Sequence, residues 1–102
     1  MIFSTQDEDG ATVLRIGGEL DAVSVTEIRP VIDSLVEKQP PRVVVDLADL
    51  RLIDSSGVGS IVSLYRRVRA QGGTLTVRGL RHQPLEIFRL LRLDRVLTGA
   101  MP

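Results

Sequence analysis

Apolar and polar positions change their spacing several times along this chain, as they do where strands and helices alternate. Residues 2–6 read as a short edge strand, and Asp7-Glu8-Asp9-Gly10 supplies a turn. Ala11 to Gly17 reads as a second strand, with Leu14 and Ile16 on one face and Val13 and Arg15 on the other, so residues 2–17 form a hairpin. After Gly17-Gly18 the period lengthens. Val25, Ile28, Ile32, Leu35 and Val36 repeat at the spacing of one helix face, and Ser24 with Glu27 has the form of a capping box. Pro30 lies inside that pattern and predicts a kink or a delayed start, because it removes a backbone donor. Pro40-Pro41 closes the helix.

Val43-Val44-Val45 is a continuous β-branched run suited to a central strand covered on both faces. Ala48 to Asp54 reads as a loop. From Ser55 the positions Val58, Ile61, Val62, Tyr65 and Val68 define a second helix, which Gly72-Gly73 terminates. Thr74 to Arg78 is another strand. Pro84 suits the first position of a third helix whose apolar face is Leu85, Phe88 and Leu91. Val96-Leu97 adds a last short strand or covers the core. Strands joined through helices must run parallel, whereas the hairpin is antiparallel. The expected fold is therefore α/β, a mixed four- to five-stranded sheet with helices packed on it, and residues 1–102 form one domain.

Composition narrows the function. Of 102 residues, 43% are hydrophobic and 25% charged, the balance of an ordinary globular domain. Thirteen basic and thirteen acidic side chains cancel, which removes the positive excess that drives phosphate-backbone binding and argues against direct nucleic-acid contact. With no cysteine and one histidine, His82, there is no thiolate or His-rich metal site, and no acidic loop has EF-hand spacing. Met1-Ile2-Phe3 runs straight into polar residues, and no apolar stretch approaches a membrane span, so a cytoplasmic location without signal peptide or membrane contact is expected.

The most informative segment is Ile53-Asp54-Ser55-Ser56-Gly57-Val58-Gly59, where a buried strand leads through a short loop into a helix N-terminus. Ser55 is read as the N-cap, and Gly57 and Gly59 leave the first turn bare for close approach by another protein. Catalysis lacks parts. No glycine precedes Ser55 as a nucleophile elbow requires, His82 and the sole lysine, Lys38, are remote in sequence, and Val62 stands where a dinucleotide fingerprint needs its third glycine. Arg66, Arg67 and Arg69 form a basic cluster that is either a solvated face or a contact for an acidic partner.

The segment Asp54-Ser55-Ser56-Gly57-Val58-Gly59 resembles the phosphorylation-site motif of STAS-domain anti-sigma factor antagonists. Gly18-Glu19-Leu20-Asp21 resembles the stretch before that family's first helix, and the similarity runs from about Val13 to Leu93. The resemblance implies a STAS domain without enzyme activity or cofactor. Its unphosphorylated form would bind an anti-sigma factor that is also a serine kinase, freeing a sigma factor. Phosphorylation of Ser55 would break that complex, and a phosphatase would restore it. Asp21, Asp54, Ser55, Ser56, Gly57, Val58 and Gly59 are the expected partner-binding residues, with Asp21 and Asp54 equally readable as turn formers. A monomer is expected until the partner binds. The alternative is a STAS scaffold subunit of a stress-signalling complex or a soluble accessory subunit of a lipid transporter.

Overall fold

The computed structural model of the protein describes residues 1–98. Nine elements follow one another in the described residues: β1 (Ile2–Glu8), β2 (Ala11–Leu20), α1 (Ser24–Glu37), β3 (Arg42–Asp46), β4 (Leu50–Ile53), α2 (Ser55–Ala70), β5 (Thr74–Arg78), α3 (His82–Leu90) and α4 (Asp94–Thr98). The expected mixed α/β architecture is present, with five strands.

β1 and β2 pair antiparallel, with Glu8 opposite Ala11. Only Asp9 and Gly10 lie between them, at φ 50° and 80°. Positive φ at both central residues marks the type I′ turn, one of the two that follow the strand twist, and glycine reaches that region freely while aspartate tolerates it. β2 runs three residues beyond its expected end. Gly18, at φ 89°, takes up a register shift there, and its N–H donates to the Asp49 carbonyl at 3.0 Å.

The extension matters because β2 has two successive parallel partners. Thr12 to Arg15 pair with β3, and Gly18 to Leu20 pair with β4. β3 pairs in turn with β5, giving the order β1-β2-β3-β5 with β4 attached to β2. β4 occupies part of the stretch expected to be a loop. Between β3 and β4 the chain turns at Asp46, whose Oδ1 accepts the Ala48 N–H at 3.0 Å.

Leu14, Ile16, Val43, Val45, Leu75 and Val77 make one apolar sheet face, and the buried stripes of α1 and α2 close over it. In α2 the buried positions are Val58, Ile61, Leu64 and Val68, whereas Val62 and Tyr65 are only half-buried, so the stripe is rotated from the expected one. Val44 is also half-buried, so β3 is central without being fully covered on both faces. The second face instead carries charge. Arg15 lies 2.7 Å from Glu8 and 3.7 Å from Asp46, and Arg78 lies 3.0 Å from Asp46 and 3.7 Å from Glu8, which ties four strands together.

Three helix expectations change. α1 passes through Pro30 without interruption, because Pro30 and Thr26, whose carbonyl loses its donor, both lie on the exposed side. Pro84 is the third residue of α3, not the first, and is buried. Leu91 is 50% exposed and Leu90 is 77% exposed, so Phe88 and Pro84 anchor α3 and those leucines do not. At the C-terminal end, Leu97 covers the core from a short helix, not from a strand.

Candidate functional site

At the end of β4 the backbone turns sharply into α2, and Asp54 makes the turn. Its φ of −109° and ψ of −175° are extended, and its Oδ1 accepts the Gly57 N–H at 2.9 Å. Asp54, not Ser55, is therefore the N-cap, because its carboxylate reaches the first-turn donors from one residue earlier. The second carboxylate oxygen works across the fold. Oδ2 accepts the Ala22 N–H at 3.2 Å, while the Asp54 N–H donates to the Leu20 carbonyl at 3.2 Å. One side chain thus joins the loop before α1 to the start of α2, and the two motifs read in the sequence meet in space.

Asp21 shapes the turn that leads into α1. Its Oδ1 accepts the Val23 N–H at 3.1 Å and the Ser24 N–H at 2.9 Å. Ser24 does not form the expected capping box with Glu27. Its hydroxyl accepts the Asp21 N–H at 2.8 Å and donates to the Glu19 carbonyl at 2.9 Å. The Ser24 backbone N–H, followed by its hydroxyl, holds the Asp21 carboxyl below the usual aspartate range. These bonds are the turn-forming role read for Asp21.

Ser55 is the first residue of α2 and is exposed, as is Ser56. Among the described residues neither hydroxyl has a hydrogen-bond partner, so both are open to solvent at a helix N-terminus. Gly57 behaves differently from expectation. It is buried, and a Cβ there would overlap the Leu20 carbonyl oxygen and lie 2.7 Å from Ile53 Cγ1. Its bareness is used inward, to let α2 pack against the ends of β2 and β4. Val58 is buried in the core as well. Gly59 is exposed with nothing within 4 Å of its missing Cβ, so it alone of the two glycines opens outward.

Beyond Ser56 and Gly59, a groove of about 390 Å³ runs between α1 and α2, lined by Ser60 and Ser63 and flanked by Arg29 and Arg67. Arg67 crosses the groove to Asp33 at 2.8 Å. Arg69 stacks 5.7 Å from the Tyr65 ring centre, so two of the three clustered arginines are engaged within the molecule. Two residues beside the site escaped the sequence reading. Val23, 75% exposed, flanks Ala22. Gln83 bonds the backbone of Ile53 from α3, donating to its carbonyl at 3.0 Å and accepting its N–H at 2.9 Å. A contact across thirty positions leaves no local pattern to read.

Among the described residues there is no group of acidic or histidine side chains placed to hold a metal ion. No described helix is long and apolar enough to cross a membrane.

A family model described as Mlab, STAS domain matches residues 3–99. An anti-sigma F factor antagonist of Paenibacillus polymyxa is 32% identical over 69 residues, 67% of this chain, and the chain spans 59% of that relative's length. An anti-sigma-B factor antagonist of Bacillus subtilis is 29% identical over 92 residues, covering 90% of this chain and 83% of the relative. The solved structure of the Bacillus cell fate determinant SpoIIAA in its phosphorylated form superposes with a TM-score of 0.67 at 26% identity, covering 90% of this chain and 85% of that one. The chain belongs to the STAS-domain family.

Proposed function

We propose that this protein is a cytoplasmic anti-sigma factor antagonist whose partner binding is switched by phosphorylation of Ser55. The observation that supports this reading most is the Ser55 hydroxyl, exposed and unengaged on the first residue of α2. A kinase reaches such a hydroxyl without unfolding anything. In the proposed cycle the unphosphorylated chain, a monomer of one domain, binds an anti-sigma factor with serine kinase activity and a sigma factor is released. That kinase then modifies Ser55 and a phosphatase resets it. The phosphorylated form named in the SpoIIAA structure agrees with a cycle of this kind.

Physical chemistry favours a switch at the interface over a switch of fold. A phosphoserine carries about −1.5 to −2 charges at neutral pH. The helix N-terminus favours that charge by roughly 0.3–1 kcal/mol, and the adjacent Asp54 carboxylate opposes it. These effects largely cancel within the free molecule. Against a partner resting on Ser55, Ser56, Gly59 and the Ala22-Val23 loop, the added dianion must be buried, and binding weakens.

The test is phosphosite mapping by mass spectrometry on protein recovered from its native cells together with whatever it binds. Phosphate on Ser55 and a co-purifying ATPase-like anti-sigma factor are expected. With that partner, Ser55→Asp should bind at least tenfold more weakly while its circular dichroism matches wild type. Ser55→Ala should bind and resist phosphorylation. An unmodified chain held by transporter subunits or by a large assembly of related domains would overturn the proposal in favour of the accessory or scaffold role.

A further inference from the structure

β4 is a four-residue strand paired along one edge only. Leu50, Leu52 and Ile53 register with Gly18, Glu19 and Leu20 of β2. In a parallel ladder the backbone groups of alternate residues point to opposite sides. The N–H of Asp54 turns to β2 and reaches the Leu20 carbonyl, so the groups of Ile53 turn away from β2. Among the described residues no further strand takes them up. The Gln83 carboxamide does, with an acceptor 2.9 Å from the Ile53 nitrogen and a donor 3.0 Å from the Ile53 oxygen. A primary amide carries one acceptor and one donor group side by side, which is what a neighbouring strand presents to each outward-facing residue.

We propose that Gln83 is a positioning residue for the phosphoacceptor turn: its side chain replaces a missing strand, and α3 thereby fixes Ile53 and the Asp54-Ser55 segment that follows. Ile53 is buried, so its polar backbone groups need protein partners. α3 is itself anchored, because Phe88 is fully buried and Pro84 is buried one residue after Gln83. The turn is then held at two points, by Gln83 on Ile53 and by Asp54 on Ala22 and Gly57. Without the first, Asp54 caps α2 from a strand end that drifts, and Ser55 spends part of its time out of place for any protein that must recognise it. The consequence for recognition rests on the function proposed above; the positioning itself does not.

The experiment compares the full chain with Gln83→Leu, which keeps an apolar stem of similar size and removes both bonds. Amide hydrogen exchange is read by NMR at Ile53, Asp54 and Gly57, with Val13 and Val45 as core references. Exchange at Ile53 should rise at least tenfold and at Asp54 and Gly57 about threefold, with the references unchanged. In host-cell extract supplied with labelled ATP, the apparent KM for Ser55 phosphorylation should rise three- to tenfold and kcat stay within twofold. That split is expected because only the correctly placed fraction of the turn binds. Should the leucine variant fail to fold, Gln83→Glu, which loses the donor to the Ile53 carbonyl, is read at the same amides. Unchanged exchange at Ile53 and Gly57, or a rise spread evenly over the references, overturns the proposal. Absence of Ser55 phosphorylation in the wild type overturns the switch and leaves the exchange result to decide the role of Gln83.

Discussion

Helix propensity alone recommends alanine at Gly57, since glycine costs a helix interior about 1 kcal/mol relative to alanine. The packing behind it reverses that preference. A methyl group at Gly57 meets the Leu20 carbonyl and Ile53, both held in the sheet, so either α2 lifts away or the strand ends part. Gly57→Ala should lower unfolding free energy in urea by about 1–3 kcal/mol, the usual cost of forcing atoms into a packed site. Gly59→Ala, facing open space, should be neutral or stabilising by up to about 1 kcal/mol. The two glycines were indistinguishable in the sequence. What separates them is a carbonyl contributed by Leu20, far upstream, and no local pattern carries that information. The motif itself was legible, because it is a short stretch with strong turn chemistry; its meeting with the Leu20-Ala22 segment was not, because that contact joins distant positions. The Asp54 cap was displaced by one residue in the reading, since serine and aspartate are nearly equal as caps and only the backbone angle decides between them.

Elements were legible where their periodicity was long. α1, α2 and the β1-β2 hairpin stand close to where their patterns put them. β4 was not, because its burial runs buried-exposed-exposed-buried and neither a two-residue nor a helical period fits four residues. Pro30 offers a test at this scale. Replacing it by alanine returns a donor to the Thr26 carbonyl, partly offset by a more flexible unfolded chain. Pro30→Ala should stabilise by about 1 kcal/mol, a rise in melting temperature of roughly 4–8 °C by calorimetry. The charged face of the sheet makes a second prediction. The Arg15 bond, joined by Arg78, holds the Glu8 carboxyl below its usual 4.5. Asp46 is pushed up by partial burial, but the Ala48 N–H and Arg78 outweigh this and leave it below 3.8. A carboxylate whose folded pKa is depressed stabilises the fold above its unfolded pKa and loses that contribution as pH falls through the folded value. Stability should therefore hold from neutral pH to about 5 and decline below about 4. Denaturant titrations at several pH values should show the gap between wild type and Glu8→Gln closing over that decline. A gap that persists at pH 3 would show that Glu8 acts by packing, not by charge.

At the scale of the whole molecule, the layered α/β arrangement followed from the order of the patterns, and only long-range detail was hidden. The same contrast between local and distant contacts sets the order in which the fold can assemble. The Asp9-Gly10 turn closes the smallest loop in the sheet, whereas every other strand pair joins distant positions, such as Thr12 with Val43 and Arg42 with Thr74. Closing those longer loops costs more entropy, so the hairpin forms first and β2 serves as the template. Gly10→Val, forced into a φ of 80° that a β-branched residue resists, should slow refolding in stopped-flow measurements while leaving unfolding nearly unchanged. During synthesis the chain emerges from its N-terminal side, so β1 and β2 appear before β4 and α2, and α3 appears after them. Gln83 therefore reaches Ile53 only after the thirty positions that separate them have also left the ribosome. A nascent chain carries Ser55 before α3 exists to hold the strand end behind it, so under the proposed switch the phosphoacceptor turn takes its working shape only when a later-made helix arrives.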